Sequence, residues 1–494
     1  MVIHTQYNYE DLIKYPHTTY EEHGAVGDGR CDDTDAIRAT HEYANAHGLY
    51  VIGKPCATYL IAKPRVADIK TSCYWKGCTF IIDDTTEEVA QAPRTPVFAV
   101  HASIGEYDGE TRYFKGEICK GYKTPYKNAT LVIKDHSQLH FKRFGECATP
   151  GAPAMVTVTT DKDGCIEQTI MPTIYRVDDV IVHEGEKYHL FLYGGTFITI
   201  ANQGPSMYKY YQRGIKIFRS NVTISNIEHR VINEGLSGAP YESFITIAGC
   251  KDVAFVDSKI QARKFYYEGA RPGERSGNPM GTYEIQINEA VNIRLDGITQ
   301  TNFGKEISQV TWGPIATNYC NTVVVNNCIL DRFDAHNGIT NFYIYKTTIG
   351  WQGIKFTGWG SCLIEGCKIY DTSFIVLRYD YGAFWNGDIY IKDCEWFWPR
   401  DNLTIPCLIS ALNYGMHDFG YVCTGPHKVI IENLATLGDY YVFSNYNDDP
   451  EENQPYPYVP TSELIVEKCQ KSHIRICPDE SKPFYSKLKV KYID

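Results

Sequence analysis

Along the chain one short pattern of apolar and polar positions recurs: apolar, any residue, apolar, two polar or small residues, then a small or apolar residue, often cysteine. It reads CYWKGC (73–78), LVIKDH (131–136), VTISNI (222–227), VAFVDS (253–258), IRLDGI (293–298), VVVNNC (323–328), FYIYKT (342–347), CLIEGC (362–367), IYIKDC (389–394), VIIENL (429–434) and LIVEKC (464–469). Period-two alternation predicts a strand whose successive side chains point to opposite faces. The Asn, Asp or Gly that follows predicts a corner. Taking the second apolar residue as anchor, Ile224, Phe255, Leu295, Val325, Ile344, Ile364, Ile391, Ile431 and Val466 follow one another at 31, 40, 30, 19, 20, 27, 40 and 35 residues. A smallest unit of about 20 residues, with longer intervals thrown out as loops, predicts an all-β parallel solenoid.

The pattern divides the chain into a cap region with a helix over 1–50, a parallel β-helix over 51–494, and a β-rich excursion over 137–219. In the excursion MVTVTTDKDGCIEQTI and YHLFLYGGTFITI read as hairpin strands around an Asp-Gly turn. Five cysteines, Cys78, Cys328, Cys367, Cys394 and Cys469, occupy the sixth position of the unit. They are expected to stack as a core ladder of small hydrophobes rather than to bind metal.

Composition adds exclusions. With 43% hydrophobic and 22% charged residues the chain can bury a large core and is not broadly disordered. A net charge of −11 argues against nucleic acid or an anionic membrane as bulk partner. No apolar run reaches the roughly 18 residues of a membrane span, and the start carries neither a basic nor an apolar leader segment. The expectation is a cytoplasmic protein, or a secreted one if a leader has been removed. The 17 cysteines include no zinc-type CxxC pair and are expected to be reduced, with the sequons at Asn128, Asn221 and Asn402 as chance matches.

The stretch EHGAVGDGRCDDTDAIRATHEYANAHGLYVIGKPCATYLI (22–61) resembles the N-terminal signature of the pectate lyase superfamily, the right-handed parallel β-helix proteins that include polygalacturonase-like enzymes and phage tailspikes. Gly24, Ala25, Gly27, Asp28 and Gly29 fill its glycine turn, Asp32, Asp33 and Thr34 its helix start, and Ala57-Thr58-Tyr59-Leu60-Ile61 its first strand. The resemblance implies a right-handed β-helix acting on glycans. Physical reading agrees: Asp32, Asp33 and Thr34 suit the first turn of a helix running to about Ala46, and Gly48 suits its end. A dinucleotide-binding reading of GAVGDG fails, because three nearby aspartates would repel a pyrophosphate and no strong strand precedes the glycines.

Counted from the ladder position, Arg332, Asp334 and His336 lie four, six and eight residues after Cys328. Trp351 and Lys355 lie four and eight after Thr347, Asp371 four after Cys367, and Arg378 and Asp380 eleven and thirteen after it. If rungs stack in register about 4.8 Å apart, equal parity places them on one outward face of three rungs, with Glu306 from the rung before. Trp351 and Trp359 suit the C–H faces of sugars. The loop ARKFYYEGARPGERSGNPMGTYEIQ (262–286) is expected to roof a groove, Arg263, Lys264, Arg271 and Arg275 touching an acidic substrate and Glu284 and Gln286 returning beneath it.

Two chemistries follow. Hydrolysis needs an acid and a base or nucleophile among Asp334, Asp371 and Asp380, with His336 and Arg332 assisting. Elimination from a uronate needs a base and a cation such as Arg332, Lys355 or Arg378. The paired-aspartate and GHG signatures of polygalacturonases are absent, and no acidic cluster matches the calcium site of pectate lyases, so no cofactor is expected unless calcium serves a lyase. A non-catalytic glycan-binding solenoid, such as a tail fibre or adhesin, is the other class. An oligo- or polysaccharide is the expected partner, and a homo-oligomer stays open.

Overall fold

The structure, a computed structural model, describes residues 13–143, 151–304, 311–399, 405–412, 419–444, 456–479 and 485–493. The chain divides into two compact units, one of Met1–Ser103, Glu186–Ala248 and Val253–Gln286, the other of Ile104–Gly185, Gly249–Asp252 and Ile287–Asp494. Parallel β-helix rungs build both.

In the first unit the strand Thr58–Ile61 pairs in parallel with Thr79–Asp83, that strand with Thr196–Ile200, and that with Glu228–Ile232. Inward side chains stack along the column: Phe80 and Phe197 lie 4.9 Å apart with rings 14° from parallel. The capping helix spans Thr34–His47 and ends on Gly48, whose φ of 67° is the left-handed conformation that glycine adopts without cost. Asp33 occupies the N-cap position, but its carboxylate closes the glycine turn instead, accepting from the amides of Val26 at 2.7 Å and Gly27 at 3.2 Å.

In the second unit the strands Ile315–Asn326, Ile329–Tyr345, Thr348–Glu365, Trp385–Lys392, Lys428–Glu432, Glu463–Glu467 and Lys489–Ile493 follow as parallel rungs. Phe342, Phe356 and Trp385 interlock inside them at centroid distances of 4.7–5.7 Å. Each such side chain, fully buried, contributes on the order of 1.5–3 kcal/mol.

The β-rich excursion is a four-stranded antiparallel sheet of Glu106–Asp108, Thr130–Phe141, Ala152–Thr159 and Asp179–His183. It therefore begins before 137 and ends before 219. The strands Leu190–Tyr193, Thr196–Ile200 and Ile215–Phe218, expected inside it, belong to rungs, and LVIKDH, counted as a rung, lies in one of its two inner strands. Alternation alone does not separate the two, because strands of both kinds carry alternating apolar residues into a core: Leu131 and Ile133 pack on Val156, Val158 and Val182 of the same sheet.

The repeat resolves into a corner device. In all nine units from 222 onward the fifth residue is left-handed, with φ between 45° and 67°, whether it is Asn226, Asp257, Gly297, Asn327, Lys346, Gly366, Asp393, Asn433 or Lys468. The sixth-position side chain then accepts a hydrogen bond from a neighbouring rung's corner amide: Ser258 from Ile227 (3.0 Å), Cys328 from Ile298 (3.4 Å), Thr347 from Cys328 (3.2 Å), Cys394 from Cys367 (3.4 Å). It also donates to the carbonyl two residues back, Cys328 to Asn326 and Cys394 to Lys392, each at 3.1 Å. The ladder cysteines thus satisfy buried backbone groups besides filling space. Cys78, Cys328, Cys367 and Cys394 are buried, and Cys469 is half-buried. No helix among the described residues is long and apolar enough to cross a membrane.

Candidate functional site

The sequence cluster LDRFDAHNG lies in the strand Ile329–Tyr345, and its polar side chains are covered rather than displayed. Arg332 is 3% exposed and Asp334 0%. Asp334 accepts from Arg332 at 2.6 Å, from His336 at 3.2 Å and from Nη1 of Arg378 at 3.0 and 3.1 Å on its two oxygens. Burial alone would raise this carboxyl's pKa. The charges of Arg332, Arg378 and His336 override it and hold Asp334 well below the ordinary carboxylate range.

Arg378 reaches Asp334 across the intervening rung, because its own amide bonds the carbonyl of Phe356 there. Its remaining edge binds Asp380 in two-pronged fashion, at 2.8 and 2.7 Å. Burial works upward on Asp380 as well, and the Arg378 bonds and charge outweigh it, leaving the pKa lowered.

A cation that the sequence reading missed completes the network. Arg143 lies 3.1 Å from Asp380 and 5.7 Å from the ring centroid of Tyr381. It is positioned from the antiparallel sheet: Phe141, two residues earlier, packs with Trp359, Tyr381, Phe384 and Phe419 in one buried aromatic cluster. No periodicity could have signalled it, since it arrives from outside the repeat. Beneath Arg332, the ring of Trp312 lies 5.1 Å away and its carbonyl accepts at 3.3 Å.

Equal offsets from the ladder do not align in this region. Ile329 opposes Thr348, but Arg332 opposes Gly353 and Asp334 opposes Lys355, because the second strand carries two extra residues between Ile349 and Gly353. The bulge brings Lys355, not Trp351, beside the Arg–Asp network. Gly353 has φ of 64°, and a Cβ there would collide with the Asp371 carboxylate, so glycine is what lets Asp371 approach the bulge.

Lys355 and Asp371, both half-buried, carry the perturbed protonation. Burial, reinforced by the charge of Arg332, pulls the Lys355 ammonium down to about 8, against the opposing pull of Asp371 and Asp334. Burial pushes the Asp371 carboxyl up to about 6, and Lys355 and the Thr372 hydrogen bonds only partly restore it. Lys355 donates to Gln352 at 3.3 Å, while the amide of Thr372 donates to Asp371 at 2.7 Å. Thus Asp334 and Asp380 are locked anions. Of these three carboxyls, Asp371 is the one able to exchange a proton near neutral pH.

The remaining sequence-derived residues separate from this group. Trp359 is 7% exposed inside the aromatic cluster and presents no ring to a sugar. Trp351 is half-buried, with its indole N–H buried and unbonded. Glu284 is not under a roofing loop: it is 1% exposed in the interior of the first unit, 2.6 Å from both Arg263 and His229. Arg263, expected to touch substrate, is buried there against the ring of Tyr241 at 3.6 Å. Gln286 is half-buried and donates to Glu242 at 3.4 Å, Lys264, Arg271 and Arg275 are exposed, and Glu306 lies outside the described residues. Among the described residues, no three His, Cys, Asp or Glu side chains converge as a metal site.

No family model and no curated protein matches the sequence. Solved structures share its fold. The tailspike protein gp49 from Pseudomonas phage LKA1 aligns with 96% of this chain and 84% of its own at 12% identity and a TM-score of 0.51. The Streptococcus pneumoniae surface protein and adhesin PfbA aligns with 97% of this chain and all of its own at 13% identity and 0.45. An endo-xylogalacturonan hydrolase from Aspergillus tubingensis aligns with 92% and 97% at 11% identity and 0.35. At these identities the likeness is one of fold.

Proposed function

We propose that this parallel β-helix protein cleaves a glycosidic bond of an oligo- or polysaccharide on the face around Asp371 and Lys355. Asp371 protonates the departing glycosidic oxygen. The single observation that carries the reading is the contrast between this carboxyl, pushed up to about 6, and the neighbouring Asp334, which is arginine-locked and always ionised. An acid for glycoside chemistry must hold its proton near neutral pH, and burial gives Asp371 that property.

Hydrolysis by the general route needs a second carboxylate as base or nucleophile. Asp334 is fully buried and Asp380 is saturated by Arg378 and Arg143, so neither is free to attack. Lys355 is the base of lowered pKa in the cluster, which favours a second reading: in its neutral form it removes the proton α to a uronate carboxylate, and Asp371 protonates the leaving oxygen of the same β-elimination. Gln352 anchors the Lys355 ammonium and Thr372 the Asp371 carboxylate, and the Arg–Asp network does not take part in proton transfer.

Incubation with neutral and uronate-containing glycans, following reducing ends and the absorbance of unsaturated products, tests both. New reducing ends without absorbance mean hydrolysis, and absorbance means elimination. Neither signal on any glycan would overturn cleavage and leave glycan binding as the function.

A further inference from the structure

The first unit carries a second arrangement of charge and aromatic rings besides its buried Glu284–Arg263 pair. A cleft of about 550 Å³ is lined by residues 92–95 and 208–210. On its walls Tyr208 and Tyr210 lie 6.0 Å apart, Tyr208 48% exposed and Tyr210 half-buried. Arg94 is ion-paired with Glu242, yet its side chain remains 62% exposed, so much of the five-donor guanidinium faces the cleft mouth. Lys209 is anchored by a 2.6 Å bond to the carbonyl of Ala90.

We propose that this cleft is a binding site for an anionic sugar, a uronate residue of an oligosaccharide, separate from the face around Asp371. Arg94 and Lys209 are the charged residues lining the cleft, and Glu242 pairs with Arg94, so the cleft keeps an excess of positive charge that favours a carboxylate-bearing ligand. Arg94 offers the planar donor edge that matches a carboxylate. The tyrosine rings offer flat apolar faces to the C–H side of a pyranose, with hydroxyls at the rim. A neutral protein surface function would need neither the charge excess nor the open ring faces. The proposal does not rest on cleavage at Asp371, because it needs only recognition.

Isothermal titration of the full-length chain with oligogalacturonate, oligoalginate and hyaluronan oligosaccharides tests it, methyl-esterified oligogalacturonate being the uncharged control. The wild-type result expected is binding of at least one acidic probe in preference to the control. Arg94→Gln and Tyr208→Ala, both at exposed positions, should each raise its Kd at least tenfold with an unchanged melting temperature. Absence of binding by all three acidic probes, equal binding of the uncharged control, or unaltered Kd in both cleft variants would overturn the proposal.

Discussion

Asp334→Asn should destabilise the protein severely, although the residue sits in the most enzyme-like stretch of the sequence. The wild-type carboxylate is wholly buried and receives four hydrogen bonds from Arg332, His336 and Arg378. Asparagine keeps the shape and loses the charge. Arg378 retains Asp380, but Arg332, 3% exposed, loses its counter-charge and is left with neutral partners such as the Trp312 carbonyl and ring. Orphaning one partner of a buried ion pair costs about 3–5 kcal/mol. At about 2 °C per kcal/mol for a domain of this size, that is a fall in Tm of about 6–10 °C. Adding Arg332→Gln should recover part of the loss, because it removes the stranded charge. The pH dependence has a definite sign. The folded pKa lies below the unfolded value of about 3.9, so the unfolded chain binds more protons in the interval between them, and the contribution is full above about pH 4 and lost as pH falls further. Calorimetry of both variants at neutral pH and near pH 3 reads all of this. A neutral-pH shift below about 2 °C would refute the reasoning and return Asp334 to the status of a surface residue.

Asp371→Asn should lower cleavage about a hundredfold, on the order of 2.7 kcal/mol of transition-state stabilisation, with folding retained. Because burial raises its folded pKa to about 6, the wild type binds the extra proton when folded and loses stability as pH rises from about 4 to 6; the variant lacks that decline, which urea midpoints at both ends of the window check. Lys355→Arg keeps a permanent charge where Lys355 titrates near 8: elimination should be abolished and its alkaline rise lost, whereas hydrolysis should survive, as pH–rate profiles of the two proteins would show. Cys394→Ser should be tolerated within about 1 kcal/mol, since serine and threonine fill the same corner at 258 and 347, while Cys394→Val should cost about 1–3 kcal/mol by stranding the Cys367 amide; denaturant titration distinguishes them.

What the sequence by itself determined was the local unit: a period-two strand, a corner and a small residue after it, each set by neighbours within six positions. Repetition then implies stacking, because one rung cannot bury its own apolar face. The helix, the glycine turn and the ladder cysteines were legible for that reason. The site was legible only as a list of residue types. Two extra residues between Ile349 and Gly353 shifted the register, so that Lys355 rather than Trp351 met the Asp334 rung. Arg143 entered from a sheet far away in sequence, and an aromatic cluster converted a supposed outward face into a covered one. Burial then divided three aspartates that the sequence could not tell apart: two neutralised by arginines and held ionised, one left beside a single lysine and able to keep a proton. Which carboxylate meets which cation depends on contacts across rungs and between sheets, and those are a property of the tertiary structure.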